Sequence, residues 1–173
     1  MIKKSMKELN RLAPEEFKEK ASHNLVVVLD NIRSKQNIGS IFRTCDAFGI
    51  GKIYLCGISA TPPDREIERT ALGATLSVDW EYMASGPECI SYLKEQGYKI
   101  ISVEQTKMSI NLTQGNRLED RLAVVFGNEI NGVDEVILRN SDFHLEIPQK
   151  GTKHSLNVAV SAGIVLWELA GKS

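Results

Sequence analysis

The sequence predicts an α/β fold, a mostly parallel sheet flanked by helices, and two observations carry that prediction. Apolar runs alternate with helical stretches along nearly the whole chain, the pattern of repeated strand–helix–strand units. Two of those runs, LVVVLD (25–30) and RLAVVF (121–126), are almost continuously apolar, as strands covered on both faces must be.

Taken in order, residues 1–23 are polar and mixed in charge and read as a short helical arm, with Pro14 opening a helix through its preset φ. Residues 24–173 read as one domain. The remaining strand candidates are KIYLC (52–56), KIISV (99–103) and DFHLEI (142–147). Helices are expected at about 37–48, 64–72, 86–96, 133–140 and 155–170, with Gly49 and Gly97 as C-terminal caps. The last of these, SLNVAVSAGIVLWELA, is apolar nearly all round, with a narrow polar stripe of Asn157, Ser161 and Glu168. A helix apolar on every side should be buried on every side, so a second copy of the chain is expected against it, with Ala159, Ala162 and Gly163 allowing close approach. Ser155 stands where an N-cap belongs.

Bulk properties narrow the classes. The chain has 173 residues, 42% of them hydrophobic, and a formal net charge of -1, enough for one core and too little charge to coat nucleic acid in bulk. Three cysteines without CxxC spacing point to reduced thiols in a cytoplasmic protein. No apolar h-region follows the N-terminal lysines, and no apolar run reaches the length of a membrane span.

Open parallel sheets bind ligands beyond the carboxyl ends of their strands. Here those ends read DNIRSKQN, GNEINGV and PQKGTKHSLN, where polar, glycine and basic residues concentrate. A phosphate-binding P-loop and a dinucleotide loop are both absent, and the histidines lack zinc-ligand spacing. Ser155 and His154 are adjacent and point in different directions, which argues against a hydrolase triad. In the helix predicted from residue 37, Ile38, Ile41, Phe42 and Cys45 form the buried stripe, and Arg43 projects roughly 160° away from its centre. On position alone Arg43 is a solvated arginine. Its neighbours Gly39, Ser40 and Ala47 are small, however, as if something must approach this face.

Three segments in order resemble the motifs of the SPOUT superfamily of RNA methyltransferases, specifically the SpoU/TrmH-type ribose 2'-O-methyltransferases. They are NIRSKQNIGSIFRTCDAFGI, AVVFGNEINGV and IPQKGTKHSLNVAVSAGIVLWEL, and ERTALGA (68–74) has the same look. The resemblance spans roughly residues 24–170. It implies a deep C-terminal trefoil knot, S-adenosylmethionine as cofactor, tRNA or rRNA as substrate, and a homodimer packed through the knot region. Gly127, Ile147 and Leu156 match the cofactor positions. Asn37, Arg43, Glu129, Ser155 and Asn157 match the catalytic ones.

The implied reaction is an in-line attack of a ribose 2'-hydroxyl on a sulfonium methyl. A guanidinium is a poor base, so the expected role of Arg43 is to bind the neighbouring phosphate and stabilise the developing alkoxide. Glu129 is expected to hold Arg43 or Asn37, or to brace the loop through backbone amides. Asn157 is expected to bond a neighbouring loop or the RNA, and Arg33, Lys35, Lys150 and Lys153 to contact phosphates. Gln149 stands where many relatives carry methionine. With only a short arm before the domain, RNA choice would come from the catalytic dimer, the arm or another protein. The alternatives are a non-catalytic RNA-binding member of the same fold, and a base-directed RNA methyltransferase.

Overall fold

The computed structural model describes residues 3, 8, 11–113 and 121–170. Its elements run α1 (Pro14–Lys20), β1 (Ser22–Asp30), α2 (Lys35–Ala47), β2 (Ile50–Cys56), α3 (Arg65–Ala71), α4 (Ala74–Ser77) and β3 (Asp79–Met83). They continue α5 (Gly86–Glu95), β4 (Lys99–Val103), β5 (Ile110–Asn111), β6 (Leu122–Phe126), α6 (Glu135–Asn140), β7 (Phe143–Glu146) and α7 (Val158–Ala170).

The strands form one seven-stranded sheet in the order β3-β2-β1-β6-β4-β7-β5, and every pairing is parallel. The two continuously apolar runs are its centre: β1 and β6 pair from Leu25↔Leu122 to Leu29↔Phe126. Their alternate residues serve two cores. Val27, Leu29, Val124 and Phe126 pack toward α1, α2, α3, α4 and α7. Val26, Val28, Ala123 and Val125 pack toward α5 and α6. Both faces of the sheet are therefore covered, which is why these strands show no polar alternation.

Three elements were not anticipated. The edge strand β3 (DWEYM) is only half covered, so it lacks the apolar signature of the central strands. Strand β5 is two residues long and α4 a single turn, both too short to show a period. Pro14 opens α1 as expected, and Glu16 Oε2 accepts the Ala13 amide at 3.1 Å, while Phe17 reaches the core. The final helix begins three residues later than expected. Asn157, not Ser155, is its cap: Asn157 Oδ1 accepts the amides of Ala159 at 2.9 Å and Val160 at 3.3 Å. Ala162 faces the core with Val165 and Leu166, and the outward face carries Val160, Ile164 and Trp167 at 50%, 39% and 64% exposure. Gly163 meets open space.

Helix α2 is capped by Ser34, whose hydroxyl accepts the Asn37 amide at 3.3 Å, and its stripe Ile38, Ile41, Phe42 and Cys45 is wholly buried. Burying Phe42 alone contributes about 2–3 kcal/mol. What approaches Gly39 on this helix is α3. A Cβ at Gly39 would collide with Thr70 Oγ1 and the Ile67 carbonyl oxygen. In an isolated helix Gly→Ala stabilises by about 1 kcal/mol. Gly39→Ala should reverse that sign and destabilise the protein by about 1–3 kcal/mol, because backbone of α3 must move, and denaturant unfolding of the two proteins measures it.

Candidate active site

The loops at the carboxyl ends of β4, β6 and β7 enclose a cleft of about 580 Å³. One wall is the turn after β6, Gly127–Gly132; Glu104 and Gln105 form a second, and residues 147–158 supply much of the rest. Of the residues expected at the site, Gly127, Ile147, Leu156, Glu129, Ser155 and Asn157 all line it.

The turn after β6 is tight. Asn128 and Gly132 exchange backbone hydrogen bonds at 2.9 Å, and Asn128 Oδ1 accepts the amides of Ile130 and Asn131 at 2.9 and 3.1 Å. The chain folds back so closely that a Cβ at Gly127 would overlap the Gly132 carbonyl and the Val133 amide. Glu104 Oε2 accepts the Val133 amide at 3.1 Å, and Gln105 Nε2 donates to the His154 carbonyl at 2.8 Å. Loop 104–105 thus holds both other walls. Glu104, Gln105 and Asn128 were not among the expected site residues. Only Asn128, in the turn-forming run GNEING, carried a local signal.

A chain of hydrogen bonds ties the first motif to the other two. Glu129 Oε2 accepts the Arg33 amide at 3.0 Å, and Glu129 Oε1 accepts the Ser34 amide and Asn37 Nδ2, both at 3.1 Å. Asn37 Oδ1 in turn accepts Asn157 Nδ2 at 3.2 Å. Glu129 therefore holds Asn37 and braces the loop at once, and does not touch Arg43. With its oxygen capping α7 and its nitrogen on Asn37, the Asn157 amide is engaged within the protein.

The basic residues divide. Lys35 sits at the start of α2, where the helix dipole disfavours a cation, and is held by Asp64 at 2.8 Å. That bond raises the Lys35 pKa and lowers that of Asp64. Arg33, Lys150 and Lys153 are exposed in the site loops. Arg43 is exposed and does not line the cleft. It lies in a separate groove of about 480 Å³ between α2, α3 and α7, bordered by Ser40, Thr44, Ala47, Phe48, Arg69, Thr70 and Gly163.

Partial burial works to raise the Glu129 pKa, but the amides of Arg33, Glu129 itself and Ser34, with Asn37, outweigh it and leave the carboxyl below its ordinary value. A depressed carboxylate stabilises the fold above its unfolded pKa and loses that contribution as pH falls through the folded one. Unfolding midpoints of the wild type and Glu129→Gln should therefore differ most near neutrality and converge below the ordinary glutamate range.

Residues 24–167 match the SpoU rRNA Methylase family. A tRNA (guanosine(18)-2'-O)-methyltransferase of Aquifex aeolicus is 33% identical over 163 residues, covering 94% of this chain and 75% of the relative. The crystal structure of the A. aeolicus TrmH/SpoU tRNA modifying enzyme matches with a TM-score of 0.81 at 28% identity, over 92% of this chain and 81% of the other. An AdoMet-bound rRNA methyltransferase from Sinorhizobium meliloti matches with a TM-score of 0.79 at 26% identity, over 88% of this chain and 58% of the other. With the fold, the cleft and the motif residues in agreement, the chain belongs to the SpoU rRNA methylase family.

Proposed function

We propose that the protein is a homodimeric, cytoplasmic, S-adenosylmethionine-dependent methyltransferase acting on ribose 2'-hydroxyls of tRNA or rRNA. The observation that carries this reading is the charge of the cleft. Glu104, Glu129 and Glu146 line it, with neither lysine nor arginine among the lining residues. A polyanion is not the natural occupant of such a cleft; a ligand bearing a sulfonium and an ammonium is. When bound, S-adenosylmethionine supplies an activated methyl on its sulfonium centre. Ile147 and Leu156 offer it apolar walls, and the backbone of 127–132 offers polar groups. Three buried, free cysteines suit a reducing compartment, and no helix of the described residues is long and apolar enough to cross a membrane. The return from β7 at one side of the sheet to α7 against α2 fits the expected trefoil knot around segment 147–157.

Arg43 binds the phosphate beside the target ribose and stabilises the developing alkoxide, but not over the cleft of its own chain. Six residues along α2 separate it from Asn37 by roughly 9 Å and about 240° of rotation. Ser161 of the cleft and Gly163 of the Arg43 groove lie about 200° apart around α7. Between these flanks runs the exposed apolar stripe Val160, Ile164 and Trp167. A second copy seated on that stripe stands against both flanks, so the groove of one copy can serve the cleft of the other.

Incubation with labelled S-adenosylmethionine and total tRNA or rRNA should yield 2'-O-methylnucleosides; a methylated base as the product would overturn the ribose assignment. Arg43→Ala and Ile147→Arg should each be inactive alone. Co-expressed, they should recover about a quarter of wild-type activity, since half the dimers are mixed and each holds one intact site. No recovery in isolated mixed dimers would place both residues in the same site of one chain.

A further inference from the structure

The groove beside α2 contains a second guanidinium. Arg69, on the last turn of α3, borders it opposite the α2 residues, and like Arg43 it is exposed. Among the described residues neither arginine makes a hydrogen bond or an ion pair. Three carboxylates of α2, α3 and the α3 cap are engaged elsewhere: Asp46 with the Ser77 hydroxyl at 2.5 Å, Glu68 with Thr75 Oγ1 at 2.8 and 2.9 Å, and Asp64 with Lys35. No acidic residue lines the groove.

The hydroxyls around the groove cannot compete as donors. Ser40 Oγ donates to the Gln36 carbonyl at 2.8 Å, Thr44 Oγ1 to the Ser40 carbonyl at 3.0 Å, and Thr70 Oγ1 to the Gln36 and Ile67 carbonyls at 3.1 and 3.2 Å. Among the described residues, the two guanidiniums are thus the free side-chain donors bordering this space of about 480 Å³. Two uncompensated cations whose donors are planar and paired match the oxygens of a phosphodiester. A protein with formal net charge -1 has no general excess of cations to place there by chance.

We propose that Arg69 is a positioning residue that grips an RNA phosphate together with Arg43, and so sets the register of the strand at the site. The proposal rests on reading the protein as one that acts on RNA. Phosphate contacts of this kind fix orientation without reading sequence.

The test is filter retention of radiolabelled total tRNA and total rRNA by the wild type, Arg69→Ala and Arg69→Lys over a range of salt. Thermal melting and S-adenosylmethionine binding are measured on the same preparations. Arg69→Ala should bind RNA about tenfold more weakly, with a salt slope smaller by roughly 0.7–0.9. In methyl transfer the loss should appear in KM for RNA and not in kcat. Arg69→Lys should recover the slope and only part of the affinity, since it keeps the charge and loses the fork. Melting and cofactor binding should not change. Wild-type affinity and slope in Arg69→Ala would overturn the proposal, as would an equal loss in both variants with a lowered melting temperature. Retention of neither RNA by the wild type would overturn it too. If the wild type retains RNA yet transfers no methyl, the enzymatic reading fails, while the expected Arg69 effects would still support the phosphate grip.

Discussion

The Glu129 carboxylate is the constraint on which the site depends. Two backbone amides and one side-chain amide converge on it from the start of α2, and it stands on the turn after β6. Through Asn37 it reaches Asn157, the cap of α7. Three segments distant in the chain are thereby fixed at one end of the sheet by a single charge-assisted cluster. Without the side-chain carboxyl, three donors would lose their acceptor and α2, the turn and α7 would lose their common register. The acid of the second motif is thus a keystone of the walls.

Electrostatics divide the surface into two compartments. The cleft is lined by carboxylates whose oxygens mostly accept amides or hydroxyls, as Glu104 accepts the Val133 amide and Glu146 the Ser109 hydroxyl. The groove across α7 holds two arginines and no acid. A cationic cofactor and a polyanionic substrate need opposite fields, and one cleft cannot supply both. In the proposed homodimer, their separation onto two flanks of α7, with an apolar stripe between, gives the stripe a purpose that burial within a single chain does not. Its Trp167 packs against Phe48 of the α2 end at 5.6 Å between ring centroids, so the stripe and the groove share a wall.

Much of this was legible in the sequence, for identifiable reasons. Strands β1 and β6 announce themselves because both faces are buried, and α2 because one stripe is. β3, β5 and α4 are short or half exposed and leave no period. The site loops are marked by composition, and the resemblance picks out six residues that line the cleft, together with Asn37 and Arg43, which do not. Glu104 and Gln105 were invisible because their work is to reach backbone groups 29 and 49 positions away. Ser155 was misread as a cap because serine is a good cap wherever it stands; only the backbone showed that Asn157 has the position.

Gly39 acts on the groove through the helix packed against it. Small residues beside Arg43 suggest room for a ligand; at Gly39 the room is taken by α3, while Ser40 and Ala47 border the open groove. Yet the close approach has a consequence for the ligand after all. By letting Thr70 reach the Gln36 carbonyl, the missing side chain docks the end of α3 against α2, and the residue next to Thr70 is Arg69. Were the helices a methyl group farther apart, Arg69 would stand back from the groove that Arg43 borders. The glycine thus acts at one remove: it sets the helix spacing, the spacing places the second guanidinium, and the pair of guanidiniums defines the charge of the groove.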